Sequence, residues 1–268
     1  MRTPEQLRNH FEVERELAER LRVSTREERR TLYATLYDEL FSRVPDHPRL
    51  TVQDTPESVD QAVRERMRLL LGQFTGVQRF LEIAPGDCRL AFEVCKHVPE
   101  VCGADISDQV RGTDDRPDNF EMVIYDGYDL PVPDNSVDMA FSYQFIEHVH
   151  PDDVDLHFET MLRVLKPGGR YVFATPHRYT GPHDISVYFS TTPQGFHLKE
   201  WDYRQMTALL QRIGFSKSQI YSRGKPIESA AMNGVVRGIE AMLGVLPYGL
   251  RKSLSRRQYD NVIMVAQK

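Results

Sequence analysis

Short apolar runs in this chain repeatedly end on a polar signal that could do chemistry. RFLEIA runs into Glu82-Ile83-Ala84-Pro85-Gly86-Asp87-Cys88, and EVCGAD closes on Asp105. FEMVIYD closes on Asp126-Gly127, and VDMAFSYQ closes on Tyr143-Gln144 before Glu147-His148. Small residues such as Ala84 and Gly86 let backbone approach a ligand closely. An acidic residue closing the second strand of a dinucleotide-type fold can accept from two ribose hydroxyls, which gives Asp105 a task. Alone, Asp105 would serve equally as a helix cap, and Asp126-Gly127 as a turn. The histidines add proton-transfer capacity. His148 follows the fourth run, His177 follows the fifth in TPHR, His183-Asp184 lies in the next loop, and His197 precedes a helix. His148, His177 and His183 are the candidate general bases, and a His–Asp arrangement would orient an imidazole. The plainer reading is that these rings bond backbone and shape a pocket. His177, His183, Asp184 and His197 could also ligate a metal, but their spacing matches no zinc pattern, and no metal is expected.

The elements that must position these groups follow from periodicity. From residue 79, strands alternate with helical stretches, which implies parallel βαβ units and a Rossmann-like, doubly wound α/β sheet. Such a sheet binds ligands at the carboxyl ends of its strands, near the point where strand order reverses. Residues 200–213 read as a helix, and FSKSQIYS and NVIMVAQ as two final strands, the last antiparallel. The domain is set at 75–268. Residues 1–74 show only helical spacing, interrupted by VPDHPRL at 44–50 and DTP at 54–56, and are expected to form a helical lid. Tyr33 and Tyr37 share one helical face there and are candidate substrate contacts, together with His197. Residues 224–257 form a helical insertion before the last strand, apolar and then basic (Arg251, Lys252, Arg256, Arg257). Packing over the sheet edge is the first expectation for it; membrane contact or a homodimer interface are the others.

Composition narrows the class. The 268 residues are 40% hydrophobic and 27% charged, with net charge −5, an ordinary globular mix with room for a full core. The acidic balance counts against a nucleic-acid partner. No apolar run reaches the ~20 residues that span a bilayer, and the first residues lack a signal-peptide centre. Cys88, Cys95 and Cys102 form no CxxC pair and read as reduced core thiols of a cytoplasmic protein.

The order of these signals resembles the class I S-adenosylmethionine-dependent methyltransferases, type 11 group. The matching stretches are the EIAPGDC loop, DGYDLPVPDNSVDMAFSYQFIEHV at 126–149, MLRVLKPGGRYVFATPHR at 161–178 and HLKEWDYRQMTALLQRIGF at 197–215. The resemblance covers residues 79–223 and 260–267. It implies S-adenosylmethionine as cofactor, held by Glu82, Ala84, Gly86, Asp105, Ile106, Asp126, Gly127 and Gln144. Asp105 would take the ribose and Asp126 the adenine amino group, while Glu82 and backbone near Gln144 would face the methionine end. The family's first motif has three alternating glycines; here only Gly86 remains, with Ala84 and Cys88 in the outer places. That replacement requires a loop with no positive φ at position 88. The implied reaction is methyl transfer to a small molecule, at an oxygen of a sugar, glycolipid or other natural product. A nucleotide-dependent oxidoreductase would need GxGxxG after the first strand, which EIAPGDC does not supply. A non-catalytic cofactor-binding protein would keep Asp105 and Asp126 behind a blocked methyl face.

Overall fold

Helix starts fall where the sequence breaks its periodicity. In this computed structural model, which describes residues 2–52, 55–108, 116–222, 225–256 and 259–268, Thr3 and Thr25 open α1 (Pro4–Val23) and α2 (Arg26–Arg43) with reciprocal capping boxes to Gln6 and Glu28. Prolines start both α3 (Pro48–Thr51) and α4 (Pro56–Leu70), where the fixed φ of proline suits a first turn. Thr55 caps α4; Asp54 of the same break lies outside the described residues, as do Gly224 and Arg257 of the insertion and 109–115 of the polar stretch after Asp105.

The sheet then builds in βαβ order. Its elements are β1 (Arg79–Ile83), α5 (Arg89–Val94), β2 (Glu100–Asp105), β3 (Phe120–Ile124), β4 (Val137–Tyr143), α6 (Val154–Val164), β5 (Leu165–Pro176), α7 (Tyr203–Ile213), β6 (Lys217–Ser222), β7 (Lys225–Pro226), α8 (Ala230–Gly244), α9 (Tyr248–Ser255) and β8 (Asn261–Gln267). Among the described residues the strand order is β3-β2-β1-β4-β5-β8-β6-β7. The strands from β3 to β5 run parallel, and β8 inserts antiparallel between β5 and β6. Order reverses between β1 and β4, so the carboxyl ends of those strands frame the natural ligand crevice. The Rossmann-like fold with an antiparallel last strand is as expected.

Both faces of the sheet are covered. Phe80, Val101, Met139, Phe141 and Val172 pack against α4 and α5, while Leu81, Ile83, Ala140, Tyr171 and Phe173 pack against α6 and α7. Period-2 alternation along each strand sends neighbours to opposite cores.

The N-terminal segment divides differently from the expectation of one unit ending at residue 74. The α4 residues Met67 and Leu70 belong to the core beneath the sheet. Helices α1 and α2 instead build their own cluster, Leu17, Leu21, Leu36 and Leu40, closed by Phe196 and Leu198 of the loop before α7. The insertion packs one face only. Asn233 and Glu240 of α8 are buried, but Met232, Val235, Ile239, Met242, Leu250 and Leu254 on α8 and α9 stay exposed. No helix among the described residues is long and apolar enough to cross a membrane.

Candidate active site at the carboxyl ends of β1, β2, β4 and β5

Between β1 and α5 the chain must reverse within five residues, and it does so through left-handed backbone. Ala84 (φ 53°), Gly86 (φ 58°) and Cys88 (φ 58°) alternate in that region. The expectation that position 88 avoids positive φ is therefore corrected: the turn demands it at all three alternating positions, and two carry side chains there at about 1 kcal/mol or more each. Ala84 N donates to Ala104 O at 2.8 Å, pinning the turn to β2. A Cβ at Gly86 would meet nothing within 4 Å, so the turn faces open space.

Asp105 closes β2 and reaches back to this turn. Its carboxylate accepts from Ile106 N at 2.7 Å and Gly86 N at 3.4 Å. Burial raises its pKa against the pull of those N–H groups. Asp126 stands just past β3, which pairs with β2 so that Asp105 lies opposite Ile124. The charges of both aspartates reach Tyr125, whose hydroxyl is pushed up by burial first and by these two charges. Asp126 Oδ1 accepts from Tyr128 N and Asp129 N, each at 2.9 Å, over a turn in which Gly127 takes φ 86°. Its other oxygen takes the Arg30 guanidinium from α2, which also lies 4.9 Å over the Tyr128 ring. Burial is outweighed by these backbone N–H groups and Arg30, and the carboxyl sits below its usual range.

Glu82 on β1 is buried, with Oε2 unpartnered among the described residues. Burial pushes its pKa up to about 8, opposed by the nearby Arg66 charge from α4. Gln144, beyond β4, has φ 53°; its N donates to Ala174 O at 2.8 Å and its side-chain amide donates to Asn261 at 2.7 Å.

The histidines converge only in part. His148 and His197 meet edge to face, ring centroids 5.0 Å apart. His148 Nδ1 bonds Phe196 O at 3.0 Å. His197 Nδ1 bonds Glu200 Oε1 at 3.0 Å, and His183 Nδ1 lies 3.2 Å from the same oxygen. His183 Nε2 bonds the Thr180 hydroxyl at 3.1 Å. Beside them Glu147 is buried, one oxygen accepting from the Thr175 hydroxyl at 2.9 Å, the other without a partner among the described residues. Burial lowers His148 to about 3 and raises Glu147 to about 7. Burial also opposes the charge on Glu200, but hydrogen bonds from His183 and His197 bring it down to about 2. His197, itself buried, is held above its usual value by Glu200, Glu147 and Asp184.

His177 does not join them, and its assignment as a candidate base is corrected. It is fully buried, its Nε2 2.8 Å from Glu240 on α8, its Nδ1 accepting from Tyr179 N at 3.1 Å. Both ring nitrogens are spent on joining the insertion to β5. His177→Ala is therefore expected to cost about 1–3 kcal/mol, because it leaves a buried carboxylate short of one hydrogen-bond donor. A thermal melt checks this; an unchanged Tm would return His177 to the list of free bases.

Tyr33 and Tyr37 form part of the wall around the histidines. The Tyr33 hydroxyl accepts from His150 N at 3.0 Å and lies 3.4 Å from His148 O. Tyr37 packs on Phe196, centroids 5.1 Å apart. Sequence reasoning missed Arg30, Arg66 and Glu200, and gave Glu147 no role. Glu200 was readable as the carboxylate three positions beyond His197; Arg30 and Arg66 carried no local signal.

With this geometry in place, similarity to known proteins becomes informative. The family described as "Methyltransferase domain" matches residues 81–173. That span runs from β1 through β5 and includes the Gly86 turn, both aspartates and the Glu147-His148 pair. Residues 81–173 are thus similar to a methyltransferase domain. A "Probable S-adenosylmethionine-dependent methyltransferase" of Mycolicibacterium smegmatis is 37% identical to it over 87 residues, 32% of each chain. One of Mycobacterium tuberculosis is 34% identical over 87 residues, 32% of this chain and 30% of its own. The match thus spans about a third of these relatives' length. A SAM-dependent methyltransferase structure from Archaeoglobus fulgidus superposes with a TM-score of 0.54 at 19% identity, over 78% of this chain and 94% of its own. That likeness bears on the fold alone.

Proposed function

We propose that this protein transfers a methyl group from S-adenosylmethionine to an oxygen of a small molecule. The observation that carries the reading is Glu82: a buried carboxylate with an unpartnered oxygen, one strand position from an open left-handed turn. Such an oxygen suits an ammonium. Arg66, whose charge reaches Glu82, suits the adjoining carboxylate of a methionine end. Gly86 allows close approach, with Ala84 and Gln144 lining the crevice on either side of the β1–β4 reversal. Asp105 and Ile106 stand at the ribose position, and Asp126 and Gly127 at the adenine position, where Arg30 would have to share its carboxylate. These residues fit the cofactor, which when bound supplies an electrophilic methyl on a sulfonium.

The chain's own part is alignment and exclusion of water. Helices α1 and α2 act as the lid, reaching the site through Arg30, Tyr33 and Tyr37. The acceptor side lies at Glu147, His148, His183 and His197, a polar cluster suited to hydroxyl-bearing acceptors such as sugars or glycolipids.

Calorimetry tests the reading. S-adenosylmethionine and S-adenosylhomocysteine are expected to bind and NADH is not. Asp105→Ala is expected to weaken binding of the first two by about 100-fold, two ribose hydrogen bonds to a charged acceptor at roughly 1.5 kcal/mol each. Unchanged affinity in that variant removes the ribose assignment, and NADH binding alone removes the function.

A further inference from the structure

We propose that Glu147, His148 and His197 form a site for one first-row divalent cation, of the zinc, cobalt or manganese kind, that takes an oxygen of the methyl acceptor as a further ligand. One ligand atom from each of the three lies within 4.8 Å of the others. The sequence joins them only through the fold: Glu147 and His148 follow β4, and His197 arrives on the loop that α1 and α2 clamp.

Each side chain is oriented from behind. His148 Nδ1 is bonded to Phe196 O and His197 Nδ1 to the Glu200 carboxylate. Both Nε2 atoms are left without a hydrogen-bond partner among the described residues. Carbonyl and carboxylate partners of this kind fix the tautomer and aim of metal-binding imidazoles. Thr175 holds one oxygen of Glu147 at 2.9 Å, while Oε1, in a fully buried side chain, has no partner among the described residues. A buried, unpartnered carboxylate oxygen in a trio with two imidazoles is costly unless something positive sits near it. Two imidazoles and a carboxylate are a donor set for zinc and its neighbours, and leave coordination positions open.

A second trio, His10, Glu14 and His47, has comparable spacing and serves as the contrast. There His10 spends Nε2 on Glu14 at 2.8 Å and Nδ1 on the Arg2 guanidinium at 2.8 Å. Its donors are consumed, and a cationic side chain already stands beside them.

Position gives the cation its use. Glu147 follows Gln144, and β4 pairs with β1 so that Ser142 lies opposite Ile83, next to the Ala84–Cys88 turn. The trio therefore borders the crevice on its acceptor side. An acceptor hydroxyl bound there would lose its proton to solvent more readily. Its oxygen would then form the new bond to the methyl carbon as the sulfonium carbon–sulfur bond breaks, leaving a neutral thioether. This role rests on the methyl-transfer reading; the cation site does not.

The test uses full-length protein stripped with chelator and titrated with Co2+, read by visible d–d absorption, with Zn2+ as competitor. One equivalent is expected to bind and to be displaced by Zn2+. His197→Gln and Glu147→Gln should each weaken Co2+ binding by at least about 30-fold, while His47→Gln leaves it unchanged. S-adenosylhomocysteine calorimetry on the same samples reports folding and the cofactor reading separately. Absence of saturable Co2+ binding overturns the proposal, as does loss in His47→Gln with retention in His197→Gln and Glu147→Gln. Co2+ binding without S-adenosylhomocysteine binding would leave the cation site standing and remove the methyl-transfer reading.

Discussion

Glu82→Gln is expected to raise the Tm at pH 8 and, in the same protein, to weaken S-adenosylhomocysteine binding. Burial lifts the Glu82 carboxyl from 4.5 to about 8 in the folded chain. A group whose folded pKa exceeds its unfolded value binds its proton more tightly when folded. Its contribution is complete below pH 4.5 and is lost as pH rises toward 8, at up to about 1.4 kcal/mol per pH unit. The isosteric amide carries no charge to desolvate, so the variant should melt at about the wild-type temperature at pH 4.5 and above it at pH 8. The ligand reverses the order. Pairing Glu82 with an ammonium compensates the buried charge, so S-adenosylhomocysteine should raise the wild-type Tm at pH 8 more than that of the variant. Melts of both proteins at several pH values, with and without ligand, give the four curves. Parallel pH profiles would show that Glu82 is not strained by burial. Equal ligand shifts would take it out of the cofactor site.

What the sequence made legible was whatever is written in local order. The strand ending on Asp105, the strand shortly before Asp126 and the helical N-terminus were legible, because apolar periodicity and capping residues act over a few positions. The Cys88 turn was misjudged for a physical reason. A non-glycine residue at positive φ looks unfavourable in isolation, and only the short link between β1 and α5 makes it necessary. His177 was misjudged because its partner, Glu240, lies 63 positions away in an insertion whose docking no local pattern encodes.

The same distinction separates the two halves of the site. The proposed cofactor side is written along consecutive strand ends, so its residues appear in sequence order. The proposed acceptor side is assembled from the turn after β4, the loop before α7 and the face of α2. Glu200 orients His197 from three positions away along the loop, a separation visible in the sequence. Arg30 finds Asp126 across 96 positions, a meeting that exists only once α2 has docked.

That docking rests on one buried carboxylate, and removing it should release the proposed lid. Asp153 accepts from Arg29 Nε at 2.7 Å and Nη2 at 3.0 Å, from Arg26 at 2.9 Å and from the Tyr128 hydroxyl at 2.8 Å. Arg29 and Asp153 expose only 4% and 5% of their side chains, so solvent screens the pair little. Burial opposes the charge on Asp153, but Arg29, Tyr128 and Arg26 hold its pKa below 3.8. A depressed folded pKa means the stabilisation is present at neutral pH and is lost only as pH falls below about 4 through the folded value. Asp153→Ala strands Arg29 inside the interface, a change that typically costs about 3–5 kcal/mol. In a protein of this size that lowers Tm on the order of 10 °C if the lid and sheet melt together. If the lid melts alone, limited proteolysis should cut within α1 and α2 first and leave a core containing the sheet. Arg30 and Tyr33 are carried on the same helix, so S-adenosylhomocysteine should protect the wild-type lid from protease and fail to protect the variant. A variant lid as resistant as the wild type would mean that the apolar cluster of Leu17, Leu36 and Leu40 holds α2 in place by itself.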